Sequence, residues 1–295
     1  MAEIFVPDGA WTFDGETLRI VPGADDVHEL RRTLGEVTVP LEAIASVAFE
    51  PSRKGGSLQL RLRAGADPLT DVVTGRLGGS ADPYRLAVPK DRVGAAEYFA
   101  EEVRTHRMLE QVPNGPCESF LLPGPPVPVS ASAGDGSVSF DGERIRLEWN
   151  GFANSIKREA GPQEFPLSKV EAVEWAPQTG LGYGYLRFRL NDTSVAKAPE
   201  KNPYCLAWGV QRYGGASALV GAAVLFRLRN RALESADRSS PQKDEYEALR
   251  LRLAELESHD AVIRRLKELG ELHQSGILTD EEFNTAKQAL LRRLT

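Results

Sequence analysis

Cysteine, histidine and methionine are scarce in this 295-residue chain, and the first two scarcities close off classes of protein. Two cysteines, Cys117 and Cys205, are too few for a disulfide framework. The four histidines, His28, His106, His259 and His273, stand apart without the clustering of a metal site. A formal net charge of −6 lacks the basic excess by which a nucleic-acid binder displaces counterions, so no nucleic acid is expected. The longest apolar run, Ala216 to Phe226, is well short of the roughly 20 residues of a spanning helix. Met1 to Pro7 has neither the basic start nor the apolar stretch of a secretion leader, so a cytoplasmic location is expected. No Ser/His/Asp or Cys/His set recurs in a usable frame, and the expectation is a protein without cofactor, metal or enzymatic activity.

What the chain does have is itself twice. Phe13-Asp14-Gly15-Glu16 returns as Phe140-Asp141-Gly142-Glu143, and Pro40-Leu41 with Ile44 and Val47 returns as Pro166-Leu167 with Val170 and Val173. Asp82-Pro83-Tyr84 returns as Asn202-Pro203-Tyr204 at a shorter offset. The shrinking offset places a surplus in the first copy, within the Gly/Asp-rich stretch from Ala64 to Ala81. Apolar residues alternate with polar ones around Asp14-Gly15 and Asp141-Gly142, a pattern that predicts strands joined by two-residue turns. Leu58, Leu60 and Leu62, and Leu186, Phe188 and Leu190, alternate likewise, as half-buried antiparallel strands do. Each copy closes on a helix, predicted over Arg92 to Leu109 in the first, with Ala96, Phe99, Val103 and His106 on its apolar stripe.

Short strands closed by one helix predict an α+β, mainly β architecture of two tandem domains, each a curved sheet or small barrel. At this point the segments Val39 to Val47 and Phe165 to Val173 resemble the strand-turn-strand signature of the bacterial pleckstrin-homology-like superfamily. The chain as a whole is similar to a family of uncharacterised actinobacterial proteins with two such repeats. Residues 1–110 and 137–233 are the two repeats. Between them 111–136 is Pro-rich and reads as an extended connector between independently folded units.

A polar break over 234–243 precedes a helical tail, with an amphipathic helix over 244–261 and a helical hairpin over 262–295. Ser275-Gly276 ends one helix, while Thr279 with Glu282 forms a capping box and Leu278 with Phe283 a hydrophobic staple at the start of the next. The run from Leu266 to Leu291 closely resembles the SHOCT (short C-terminal) domain. That resemblance implies a small helical hairpin that mediates oligomerisation or docking.

Two sets of residues are candidate sites. Arg144, Arg146, Lys157, Arg158, Arg187 and Arg189 make the second repeat's strands rich in base and would suit an anionic lipid headgroup. The competing reading is the solvated face of a sheet, paired with Glu148, Glu159 and Glu164. The second set is an interface. Aligned with the first repeat's helix, the second loses its charged face: Glu97 becomes Ser217, Glu101 becomes Gly221, Glu102 becomes Ala222 and Arg104 becomes Val224. A helix neutral on every side is buried on every side. Ala218, Gly221, Ala222 and Val224 are therefore expected to meet the first repeat, the tail, another chain or a membrane surface. In the tail, Leu249, Leu253, Leu256, Ile263 and Leu266 offer more apolar surface than a short hairpin hides, so a homo-oligomer is expected. Gly180 to Gly184 lacks a P-loop lysine and reads as a hairpin loop. The functional expectation is a non-catalytic cytoplasmic scaffold whose repeats bind an unknown ligand or protein partner. The alternative is a peripheral protein on anionic membrane.

Overall fold

The computed structural model describes residues 1–24, 27–191, 197–209, 214, 216–238, 270, 271, 284, 287 and 288. In the first repeat, β1 (Ala2–Val6), β2 (Gly9–Phe13), β3 (Thr17–Pro22) and β4 (Val37–Pro40) form one antiparallel sheet, with the short helix α1 (Glu29–Leu34) between the last two strands. Strands β5 (Ile44–Ser52), β6 (Gly55–Leu62) and β7 (Arg85–Pro89) form a second sheet, and α3 (Val93–Leu109) closes the repeat. Alternation decides which side chains go inward. Trp11, Phe13, Leu18 and Ile20 from one sheet meet Val47, Leu58, Leu60 and Leu86 from the other in a single buried cluster, together with Ala96, Phe99 and Val103 of α3.

The second repeat repeats the order: β8 (Val129–Ala133), β9 (Gly136–Phe140), β10 (Arg144–Trp149), α4 (Ser155–Ala160) and β11 (Gln163–Pro166), then β12 (Val170–Ala176), β13 (Gly184–Leu190) and β14 (Cys205–Trp208), then α5 (Ser217–Arg238). The described residues are thus mainly β, with four antiparallel sheets in two repeat-like halves.

Three expectations are corrected. The Asp-Gly turns are not two-residue turns: Phe13 pairs with Leu18 and Phe140 with Ile145, leaving four residues between. Only the glycines take positive φ there, 113° at Gly15 and 110° at Gly142. The aspartates act instead through their side chains, Asp14 accepting from the N–H groups of Glu16 at 2.9 Å and Thr17 at 2.7 Å, and Asp141 doing the same for Glu143 and Arg144. Second, β8 lies inside the stretch assigned to the linker, because Val-Ser-Ala-Ser-Ala is too small-sided to show alternation. Third, α5 runs through Arg238, past the predicted start of the polar break at 234.

The Pro-rich segment is also no free spacer. Its backbone N–H groups at Cys117, Leu121 and Leu122 donate to the carbonyls of Ala64 and Ala66, and Leu122 is buried in the first repeat's core. Phe120 stacks on Phe226 of α5, and Arg229 of α5 lies over the Phe120 ring while donating to the carbonyls of Cys117 and Glu118. Residues 1–230 form one compact unit, so the repeats are not independent bodies. A second unit spans 231–295. Beyond Arg238 its described residues are Gly270, Glu271, Asn284, Lys287 and Gln288, all helical.

Candidate functional site

The surplus segment of the first copy decides how the repeats join. Between β6 and β7 it folds into α2 (Pro68–Val73), whose start is fixed by Asp67. The Asp67 carboxylate accepts from the N–H groups of Leu69 and Thr70, from the Thr70 hydroxyl at 2.7 Å and from the Tyr84 hydroxyl at 2.9 Å. Burial pushes the Asp67 carboxyl up, and burial beside that carboxyl pushes the Tyr84 phenol well up. With four donors on its two oxygens, Asp67 serves as a helix cap.

Helix α2 packs outward. Leu69, Val72 and Val73 share one buried cluster with Leu186, Leu219, Val220, Ala222 and Val224 of the second repeat. A Cβ placed on Gly221 would lie 3.1 Å from Val72 Cγ2 and 3.0 Å from Leu186 Cδ1, so the missing side chain leaves room for the insert against the helix. The neutral face of α5 thus meets the first repeat, with Ala218, Gly221, Ala222 and Val224 all buried. Burying three such apolar side chains on α2 contributes roughly 1.5–3 kcal/mol each.

Beside this junction is a cleft of about 690 Å³ lined by Thr70, Asp71, Arg76, Glu174, Trp175 and Tyr185. Its charges are engaged. Asp71 accepts from the Gly65 N–H and faces Arg229 at 3.6 Å, Arg76 donates to the Thr74 hydroxyl, and Glu174 holds Arg187 at 3.3 Å and Arg189 at 3.7 Å. A second cavity, about 450 Å³, lies within the first repeat over Gln59, Arg61, Asp82 and Tyr84. There the Gln59 amide donates to Asp82 at 3.1 Å and Asp82 in turn accepts from the Tyr84 N–H. Among the described residues no three His, Cys, Asp or Glu side chains gather as a metal site.

The six basic residues expected to face one ligand are not a single surface. Arg144 and Arg146 lie on β10, Arg187 and Arg189 on β13 of the other sheet, and Lys157 and Arg158 on α4. Arg144 pairs with Glu164 at 2.7 Å, Arg146 with Glu148 at 2.6 Å, and Arg189 with Glu171 at 3.3 Å. Arg187 is mostly covered, stacked on Tyr185 and shared between Glu174 and the Lys197 carbonyl. Arg158 is exposed. Lys157 corrects the expectation outright: it is fully buried, its ammonium bonded to Asp135 and to the Cys205 carbonyl and lying 4.8 Å from the centroid of the Trp149 ring. The Lys157 charge is needed inside the fold to neutralise Asp135, whose carboxyl burial raises and Lys157 lowers. The same burial pushes the Cys205 thiol up to about 12, which leaves it inert as a nucleophile.

Sequence reading missed that this pair is duplicated. In the first repeat Asp8 stands where Asp135 does and Arg31 where Lys157 does. Arg31, 3% exposed, bonds the Asp8 carboxylate at 2.8 Å, and that carboxylate accepts from the Ala87 N–H as Asp135 accepts from the Ala207 N–H. Each aspartate sits in the first turn of its repeat and reaches the last strand, so the pair fastens one sheet to the other. Setting the two copies side by side would have shown it, since both acid and base recur at the repeat offset.

The expected interface residues of the tail, Leu249, Leu253, Leu256, Ile263 and Leu266, lie outside the described residues. No described helix is long and apolar enough to cross a membrane.

Fold and site together define a mainly β, tandem-repeat protein whose duplicated polar groups are fastened into structure. The chain belongs to the family described as Domain of unknown function (DUF4429), whose model matches residues 11–104 and 138–225, the two repeats. A Short C-terminal domain (SHOCT) matches residues 264–291. Among curated proteins none matches this chain.

Proposed function

We propose that the protein is a non-catalytic scaffold: a rigid two-repeat platform multiplied by its C-terminal tail, working in the cytoplasm. The observation that carries this reading is the fate of the neutral helix. With α5 covered by the insert of the first repeat, the self-association that the sequence predicts rests on the leucine pattern of the tail. The match to a Short C-terminal domain over 264–291 supports a docking role for that segment. Four strands plus three, closed by a helix, support the pleckstrin-homology-like reading of each repeat. Lipid capture by the basic strands finds less support, since four of the six basic residues pair with carboxylates and a fifth is buried.

Light scattering on the full chain and on a chain ending at Arg238 tests the scaffold. The full chain is expected at a multiple of 32.3 kDa and the shortened one as a monomer. Monomers in both would remove the oligomer from the proposal.

A further inference from the structure

One duplicated charge is left unfastened. Arg61 on β6 stands where Arg189 stands on β13. In the second repeat Glu171 and Glu174 hold Arg189 at 3.3 and 3.7 Å. The first repeat has Ala45 and Ala48 at those two positions. Among the described residues the Arg61 guanidinium has no carboxylate or carbonyl partner. Asp82 stands where the second repeat has the neutral Asn202, and among the described residues no cation pairs with it. Its oxygens accept from the Gln59 amide at 3.1 Å and from the Tyr84 N–H at 2.9 Å, both neutral donors. The first repeat thus keeps a cation and an anion that its own fold does not neutralise.

Both line the cavity of about 450 Å³ in the first repeat, a volume within the roughly 300–1,000 Å³ of small-molecule sites. Gln59 stands between them, two residues from Arg61 on β6 and bonded to Asp82. The apolar part of the wall comes from the surplus segment: Leu69 and Val73, one turn apart on α2, and Leu77 beyond it. Thr70 and Tyr84 also reach the cavity, but both hydroxyls are donated to Asp67. Glu50 adds a second carboxylate to the lining. A simple anion would therefore meet two carboxylates there, and a simple cation would meet Arg61.

We propose that this cavity binds a small zwitterion with an apolar body, the chemistry of a free α-amino acid such as leucine or phenylalanine. Its carboxylate pairs with Arg61, its ammonium with Asp82, and its side chain lies along Leu69, Val73 and Leu77. A guanidinium presents its N–H groups in the fork that a carboxylate accepts. An ammonium carries three donors, and each Asp82 oxygen, with one donor already on it, keeps a lone pair for another. Such a ligand neutralises both stranded charges at once, and an apolar wall with a few placed polar groups is the usual build of a ligand site. The cavity lies within the first repeat and apart from the tail, so it stands or falls separately from the scaffold reading.

Calorimetric titration of the full chain with L-leucine and L-phenylalanine tests it, beside isocaproate, which is leucine without its ammonium, and isoamylamine, which is leucine without its carboxylate. At least one amino acid is expected to bind and to raise the melting temperature, with both single-charge compounds weaker by about tenfold, the loss of one charge-assisted pair. Arg61→Gln and Asp82→Asn are each expected to weaken the amino acid by about the same factor, while Arg189→Gln, in the second repeat, leaves it unchanged. Arg61 is exposed and Asn fills the position of Asp82 in the second copy, so both variants are expected to melt without ligand as wild type does. Neither amino acid binding, or binding indifferent to both Arg61→Gln and Asp82→Asn, overturns the proposal. So does isocaproate binding as tightly as leucine, which would make the cavity an anion site, or isoamylamine doing so, which would make it a cation site.

Discussion

Asp8 with Arg31 and Asp135 with Lys157 are the residues on which both repeats turn. The cation of each pair is buried and the carboxylate is tied to the backbone of the last strand, so removing one partner strands a charge. Lys157→Met is expected to cost about 3–5 kcal/mol in urea unfolding, the usual effect of breaking a buried pair, and adding Asp135→Asn should restore part of it. Arg31→Met should cost less, because Asp8 remains a quarter exposed and keeps water as a partner. Asp14 and Asp141 have the opposite character. Backbone N–H groups, Glu16 and Thr17 for the first, Arg144 and Glu143 for the second, hold both carboxyls below the usual 3.8. A lowered folded value means stability fully present above the unfolded value and lost as pH falls through the folded one. Asp14→Asn together with Asp141→Asn should therefore flatten the loss of stability below about pH 4, read as urea midpoints across a pH series. Midpoints that fall in parallel with wild type would show that these turns do not carry the linkage.

At the scale of elements, the sequence located the surplus of the first copy without revealing its role. Gly and Asp between strands read as a loop, and the six-residue helix within it, Pro68 to Val73, is too short to show a period. Its partner was legible from the other side: loss of charge across Ser217, Gly221, Ala222 and Val224 announced a covered helix. What period and composition do not carry is which surface meets which. The duplicated ion pairs escaped for a related reason, since acid and base lie 23 and 22 residues apart and Lys157 sits among Arg158 and Glu159 like any surface cation. The Pro-rich segment misled because proline signals extension and says nothing about what an extended chain lies against. Ala222→Glu is expected to be severe, costing several kcal/mol or unfolding the chain, because it buries an unpaired carboxylate. Glu101→Gln, on the exposed face of α3, should change stability by less than about 0.5 kcal/mol. Thermal melts of the two variants suffice, and a wild-type melt for Ala222→Glu would mean that the face is wet.

For the whole molecule the consequence is cooperativity. One buried cluster contains α1 and α2 of the first repeat and both sheets and α5 of the second, and the segment between the repeats is bonded to the first and stacked on the second. Two beads on a string would unfold in two steps, whereas repeats that share a core unfold in one. Tryptophan placement separates the halves: Trp11 is in the first repeat, and Trp149, Trp175 and Trp208 are in the second. In a Trp11→Phe chain, fluorescence reports the second repeat alone, while far-ultraviolet circular dichroism reports both. The two signals should give one coincident thermal transition, and Val72→Asp, which drives a carboxylate into the shared core, should lower it as a whole or split it. Two separate transitions in the Trp11→Phe chain, with Val72→Asp moving only the one that fluorescence does not see, would contradict the shared core.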